Sequence, residues 1–353
     1  MNGRIFIAGC WRPLEPSVCA ELRSCEGLAY WEEQVLSALE LWWNDEEDFA
    51  LKTSGSTGIP RVIRHTKQAM RASAQRTNQA FHWGRGTLAA LAMPVEFVGG
   101  MMMLVRALEG SWDLLVCEPK HVTRLPDSWN GDGLIDFMAL TPSQTIALSM
   151  ENPSLWLRLK TLLVGGGAVP DWWLQSLHGT SAPQVVESFG MTETVSHFAL
   201  RERFPREQEA FHCLPGFEVS TEESGRLLVQ SPDGILKTND LAECFSRTQF
   251  LWKGRIDDVI VTGGIKVHPA EVERVLQSVI PAEFIVYGAV DAIFGQTVVL
   301  RIHAPHPPAD ALAQEKSILD FAANHLPAHH APKRVEWLPL EKTWTGKWKR
   351  PTN

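Results

Sequence analysis

Between residues 87 and 187 the chain alternates short apolar runs with segments of helical periodicity, and this pattern restricts the fold more than any other feature. Thr87–Met93, Trp112–Cys117, Phe137–Leu140, Thr161–Val164 and Gln184–Glu187 read as strands. Gly99–Leu108, Ser143–Met150 and Trp172–Leu177 lie between them with helical spacing. An apolar strand needs a layer over it, and a helix between successive strands supplies one, so the pattern is that of an α/β protein. Upstream, Trp31–Trp43 and Lys67–Phe81 read as helices, the second stopping near Gly84. Phe49–Lys52 and Arg61–His65 read as strands on either side of a polar loop.

From about residue 212 the texture changes. Leu214-Pro215-Gly216, Glu223-Ser224-Gly225 and Pro232-Asp233-Gly234 are turn signals separating short segments, which suggests a small antiparallel sheet or barrel. Gly254-Arg255-Ile256-Asp257-Asp258 is a charged, glycine-led stretch, and we place a domain boundary there: residues 1–254 and 255–353. The tail carries strands at Val259–Val261, Glu283–Val290, Thr297–His303 and Val335–Leu340, with helices at Pro269–Gln277 and Ala309–Asn324.

At 353 residues the length allows two or three domains. A formal net charge of −8 argues against a general nucleic-acid or membrane-surface binder, whose footprint would be basic. The start shows no basic flank followed by an apolar core, and no run is long and apolar enough to span a bilayer. Cys10, Cys19, Cys25, Cys117, Cys213 and Cys244 are scattered without a Cys-x-x-Cys spacing, as expected of cytosolic thiols. The expected location is cytoplasmic.

The polar loop is Thr53-Ser54-Gly55-Ser56-Thr57-Gly58. Hydroxyls and glycine amides of this kind can wrap phosphate oxygens; alone, the run could equally be a linker. It sits in a hairpin-like setting and lacks the Gly-Lys-Ser/Thr ending of a strand-to-helix phosphate loop. Three further polar signatures follow it: Ser188-Phe189-Gly190-Met191-Thr192-Glu193, then Asp240 with Arg255 and Asp257, then Thr345-Gly346-Lys347.

These four signatures, in this order, resemble those of the acyl-adenylating superfamily of acyl-CoA synthetases, luciferases and peptide-synthetase adenylation domains. The resemblance runs from about residue 50 to 350. Within it, Gly190–His197, Thr141-Pro142-Ser143-Gln144 and Met103–Leu108 are most similar to the o-succinylbenzoate–CoA ligases of menaquinone biosynthesis, in a compact form that has lost much of the N-terminal subdomain. The implied fold is a large adenylating N-terminal domain of mixed sheets and helices with a barrel-like part, and a small mobile α+β C-terminal domain. The implied reaction joins ATP and a carboxylate into an acyl-adenylate with release of pyrophosphate, after which CoA displaces AMP.

The resemblance also implies roles. Thr53, Ser54, Gly55, Ser56, Thr57 and Gly58 hold the β- and γ-phosphates. Arg61 stands where the family usually has Lys. Gly166, Gly167, Ala168, Ser188, Phe189 and Gly190 form the adenine slot, and Met191 belongs to the ATP/AMP site. Thr192 binds the α-phosphate, and Glu193 coordinates Mg²⁺, which prefers oxygen ligands. Asp240 accepts from the ribose hydroxyls, and Arg255 contacts ribose or phosphate. Asp257 is the hinge, and Lys347 bridges the substrate carboxylate and the α-phosphate as charge develops. Rotation of the second domain then brings Gly263, Gly264 and Lys266 to CoA.

For the acid, Arg106 is the notable residue. A cation in the otherwise apolar Met101–Leu108 either snorkels to the surface or pairs with an anion, and the resemblance favours a substrate carboxylate. Gln144, Thr194 and Ser196 are further polar contacts, Phe97 a gate, and His197 as readily structural. The partners expected are small molecules (an aryl acid, ATP and CoA), with no nucleic acid and no membrane insertion; a homodimer is compatible with the shortened N-terminus. The alternatives are a CoA ligase for another aryl or short-chain acid and, more remotely, a non-catalytic nucleotide-binding module.

Overall fold

The structure is a computed structural model that describes residues 3–52, 62–121, 123–341 and 348–351. Thr53 to Gly58, Arg61, and Thr345-Gly346-Lys347 lie outside the described residues. The chain forms two compact units: Met1–Val169 with Leu177–Gln208 and Cys213–Pro215, and Pro170–Ser176 with Glu209–His212 and Gly216–Asn353. The boundary expected at 254/255 falls within the second.

Unit 1 opens with a hairpin of β1 (Arg4–Ile7) and β2 (Cys10–Pro13), helices α1 (Ser17–Arg23) and α2 (Tyr30–Trp43), and a second hairpin of β3 (Asp48–Lys52) and β4 (Val62–Thr66). Then come α3 (Lys67–Phe81), β5 (Leu88–Leu91), α4 (Val98–Gly110), β6 (Asp113–Val116), β7 (Ile135–Leu140), α5 (Pro142–Glu151), α6 (Pro153–Trp156) and β8 (Leu159–Val164). The chain passes through α7 (Asp171–Ser176), which belongs to unit 2, and returns for β9 (Gln184–Met191) and β10 (Ser196–Phe204).

Within unit 1 the strand order is β10-β9-β8-β7-β5-β6-β1-β2. The six strands from β9 to β1 are mutually parallel; β10 and β2 are antiparallel to their neighbours. Strand β5 pairs with β6 on one side and β7 on the other, so the connection order reverses about it. In an open parallel sheet ligands bind outside the carboxyl ends of the strands near such a reversal. The segments that follow β7, β8 and β9 are those carrying Gln144, Gly166 to Ala168, and Thr192 to Ser196.

Helix α4 is the spine of the unit. All residues from Gly100 to Ala107 are buried, including Arg106. A helix apolar all round has no solvent face, which is why its sequence lacks an amphipathic stripe. Its start lies so close to residues 93–94 that a Cβ on Gly100 would sit 2.2 Å from the Pro94 carbonyl oxygen. Trp112, Phe137, Met102 and Leu104 belong to the same core.

Unit 2 holds two sheets. β11 (Phe211–Cys213), β12 (Glu218–Thr221), β13 (Arg226–Ser231), β14 (Gly234–Ser246) and β15 (Gln249–Arg255) form an antiparallel run in the order β12-β13-β14-β15-β11, with Phe211 opposite Phe250. The second sheet comprises β16 (Ile260–Thr262), β17 (Ile265–Val267), β18 (Phe284–Asp291), β19 (Gly295–His303) and β20 (Arg334–Leu338). It packs with α8 (Pro269–Leu276) and α9 (Ala311–His325) around Val272, Leu276, Val286, Leu300 and Ile318.

The expected strands and helices are present within a few residues of their expected bounds. The hairpin setting of the polar loop also appears: β3 and β4 pair antiparallel up to Lys52 opposite Val62. What the sequence reading omitted is β1, β2, α1, α6, β10 and β17. Strand β10 carries Arg201, Glu202 and Arg203, and a strand with so many charges has no apolar alternation to announce it.

Cys117 is buried, and burial pushes its thiol up to about 12. Only the thiolate is nucleophilic. In native protein Cys117 should therefore resist an aromatic disulfide reagent that labels the exposed Cys10. Counting labelled cysteines by mass before and after denaturation checks this; labelling of Cys117 at the rate of Cys10 would contradict the packing.

Candidate active site

The turn after β9 is built by close backbone approach. Residues Thr192–Thr194 form a single 3-10 turn, and Val195 and Ser196 follow with φ of 52° and 82°. The Met191 N–H donates to Thr194 Oγ1 at 3.1 Å, and that hydroxyl donates to the Ser196 carbonyl at 2.7 Å. A Cβ on Gly190 would lie 2.2 Å from the same Ser196 oxygen, so only glycine fits there. Two neighbours pin the turn from outside. His65 Nε2 donates to the Thr192 carbonyl at 2.7 Å, and Ser73 Oγ donates to the Val195 carbonyl at 2.7 Å. His65 is on β4, the strand that follows the loop at 53–61. The outcome is a buried Thr192 and an exposed Glu193.

The segment after β8 is held by a buried carboxylate. Glu187 accepts from the Val169 N–H at 2.7 Å, from Arg201 Nε at 2.6 Å and from Arg203 Nη1 at 3.0 Å. Ser188 Oγ donates to the Val164 carbonyl at 3.1 Å. Gly166 takes φ +86°, and Gly166, Gly167 and Ala168 are exposed. Half-buried Phe189 meets Phe198 edge-on, at 5.6 Å between centroids and 86° between planes.

Arg106 does not snorkel: it is 1% exposed. Its Nη2 donates to Ser196 Oγ at 3.0 Å and faces His197 Nδ1 at 3.3 Å, while its Nε–H has no partner. Among the described residues no carboxylate pairs with it. Desolvation alone pushes the guanidinium down to about 9, which still leaves it protonated at neutral pH. Burial, with Arg106 and Arg76 nearby, holds His197 well below its ordinary value, so its ring is neutral.

Gln144 is at the third position of α5, and its side-chain oxygen accepts from the Thr141 N–H at 2.9 Å in a capping box. Its amide nitrogen is the part left for a ligand. The Thr194 hydroxyl is already spent on its own turn.

In unit 2, β14 and β15 place Asp240 directly opposite Arg255. Trp252 Nε1 donates to Asp240 Oδ1 at 2.9 Å, Arg255 Nη1 lies 3.9 Å from the same oxygen, and Arg255 Nη2 donates to Asp257 Oδ2 at 2.9 Å. Asn239 Nδ2 donates to Asp257 as well, at 3.2 Å. Asp240, Arg255 and Asp257 thus form one connected group. Gly263 and Gly264, with φ of +57° and +82°, make the two-residue turn between β16 and β17, and Lys266 beyond it is exposed.

Sequence reasoning missed Glu187, Arg201, Arg203, Trp252 and His65. Arg201 and Arg203 carried a usable signal, because basic residues two apart on a strand share a face. Trp252 carried none, since its role depends on cross-strand register.

The open parallel sheet of unit 1, with its loops at the carboxyl edge, is that of an α/β protein. The AMP-binding enzyme family matches residues 25–221, more than half of the chain, and the chain belongs to that family. It is 31% identical to the probable 2-succinylbenzoate–CoA ligase of Mycobacterium tuberculosis, over 82% of each protein. It resembles the crystal structure of an acyl-CoA synthetase (AMP-forming)/AMP-acid ligase II-like protein from Dyadobacter fermentans, with TM-score 0.60 and 30% identity, over 95% of this chain and 96% of that one. It shares its fold with the o-succinylbenzoate CoA synthetase of Bacillus subtilis in complex with ATP and magnesium ion, with TM-score 0.69 and 21% identity, over 85% of this chain and 68% of that one. The structure of that synthetase with the acyl-adenylate gives 0.71 and 22%, over 85% and 67%.

Glu187→Gln would take the Glu187 carboxylate from buried Arg203, which also pairs with Glu207 at 3.5 Å, and from half-buried Arg201. Removing one partner of a buried ion pair costs about 3–5 kcal/mol. Urea unfolding of the variant should show a loss of that order, and a loss below about 1 kcal/mol, the worth of a surface pair, would mean that Glu187 does not hold this edge.

Proposed function

We propose that this protein is an ATP-dependent acid–CoA ligase that adenylates o-succinylbenzoate and then forms o-succinylbenzoyl-CoA, releasing AMP and pyrophosphate. The observation that carries the substrate assignment is Arg106: a buried guanidinium with no carboxylate partner among the described residues, hydrogen-bonded to Ser196 beside the turn that carries Thr192 and Glu193. Burying a cation without a counter-ion is unfavourable unless an anion arrives. A dicarboxylic acid brings one carboxylate to react and one to fill that place. The M. tuberculosis relative named for this acid supports the same reading.

In the first step a carboxylate oxygen attacks the α-phosphorus and pyrophosphate leaves; in the second the CoA thiolate attacks the acyl carbonyl and AMP leaves. We assign Thr53 to Gly58 to the β- and γ-phosphates, Gly166 to Ala168 and Ser188 to Gly190 to adenine, Met191 to the ATP/AMP site, Thr192 to the α-phosphate, and Asp240 with Arg255 to the ribose. Mg²⁺ arrives with ATP. The described residues hold no cluster of three His, Cys, Asp or Glu side chains suited to a metal. Glu193 is assigned as the protein ligand of that ion, with phosphate oxygens and water as its other ligands. Asp257 is assigned as hinge, Gly263, Gly264 and Lys266 to CoA, and the enzyme to the cytoplasm. No helix among the described residues is long and apolar enough to cross a membrane.

Pyrophosphate release with o-succinylbenzoate, ATP and CoA tests the proposal; no release above an acid-free blank would refute it. Arg106→Ala should raise KM for the diacid about thirtyfold or more, the ~2 kcal/mol and upward lost when one partner of a buried charge pair is removed. A monocarboxylic substrate is the answer if that variant changes nothing. Lys347→Ala should slow adenylation about 10²–10³-fold, the scale of one lost transition-state donor. It should largely spare thioester formation from preformed adenylate, and equal loss in both halves would contradict the role.

A further inference from the structure

The polar contacts of Arg106 have a direction. Its Nη2 faces Ser196 Oγ at 3.0 Å and His197 Nδ1 at 3.3 Å. A guanidinium can only donate, so Nδ1 must present a lone pair. The single ring proton then lies on Nε2, which faces Thr77 Oγ1 at 3.1 Å. Thr77 spends its own proton on the Ser73 carbonyl at 3.2 Å, leaving an oxygen lone pair for His197 Nε2–H. Ser73 in turn donates through Oγ to the Val195 carbonyl. Every proton in the relay has one consistent place.

What matters is the kind of acceptor. A carboxylate at position 197 would hold Arg106 equally well but would cancel its charge and fill the need for an anionic ligand. Ser196 and a neutral imidazole hold the guanidinium in place without doing so. The depressed basicity of His197 agrees with this, since burial and two nearby arginines disfavour a second ring proton.

Resting on the assignment of Arg106 to the acid's non-reacting carboxylate, we propose that His197 is a specificity-determining positioning residue. Its Nε2–H tautomer aims the Arg106 guanidinium through the Nδ1 lone pair and leaves the positive charge free for the substrate dianion.

Steady-state kinetics should compare o-succinylbenzoate with its analogue esterified at the non-reacting carboxylate, in wild type, H197L, H197N and H197D. H197L should raise KM for the diacid about tenfold, the worth of one hydrogen bond to a charged group, with a smaller change in kcat and little change for the ester. H197N, whose side-chain oxygen can stand where Nδ1 stood, should recover most of the loss. H197D should discriminate as poorly as H197L. Equal effects on diacid and ester, or an H197N as impaired as H197L, would overturn the proposal. Nitrogen NMR of histidine-labelled wild type needs no variant: an unprotonated Nδ1 and protonated Nε2 are expected, and a protonated Nδ1 overturns the assignment. Should Arg106→Ala fail to affect the diacid, the substrate reading itself falls. An effect there without one in H197L removes this inference alone.

Discussion

Glu187 is the interaction on which the candidate site depends. It ends the apolar part of β9, and one carboxylate satisfies a backbone N–H after β8 and two guanidinium groups on β10. Three structural segments therefore converge on a single buried side chain. A parallel sheet sends its carboxyl ends to one edge, but the loops there have no ladder of their own to hold them. Here the loop at 165–169 is tied down by a charge-assisted bond to the main chain, among the strongest that a side chain can make. The glycines that follow β8 can stay exposed because Val169 is fixed.

The same edge shows why close backbone approach decides residue type. Gly190 has no room for a methyl group against Ser196, and the left-handed conformations of Val195 and Ser196 are strained for residues bearing a Cβ. Bonds from Thr194, Ser73 and the His65 ring to the surrounding carbonyls hold that strained turn closed. The turn thus owes its shape to α3 and β4 as much as to its own sequence. The His65 bond ties β4, which begins at Val62, to the carbonyl of Thr192.

Much of this was legible in the sequence. Alternating apolar runs announced five of the six strands of the parallel sheet, β1 excepted, and Glu223-Ser224-Gly225 and Pro232-Asp233-Gly234 announced turns. Asp240, Arg255 and Asp257 could be grouped before their contacts were visible. Arg106 stood out as a cation inside an apolar helix, although periodicity could not say whether it reached solvent. The rest depended on long-range register. β10 is hidden by its charges, and the match between those charges and Glu187 exists only once Arg201 stands opposite it. Trp252 is similar: its indole becomes Asp240's donor only through the pairing of β14 with β15. Local pattern reports which face a side chain occupies, not which residue arrives from another strand.

Arg106 and Glu187 lie at opposite ends of one electrostatic strategy. Both are buried charges in unit 1, and both are expensive to desolvate. Glu187 is surrounded by cationic and N–H donors, so its charge is consumed by the fold. Among the described residues Arg106 is met by neutral oxygen and nitrogen lone pairs, so its charge is conserved. A site built purely for stability would treat the two alike, and an apolar residue would serve the buried Gly100–Ala107 stretch of α4 better than an arginine. Leaving one cation uncompensated lowers stability in the free protein and becomes favourable only when an anion binds. That difference in treatment, more than the presence of an arginine, is why we propose Arg106 as a recognition residue and read Glu187 as a structural one.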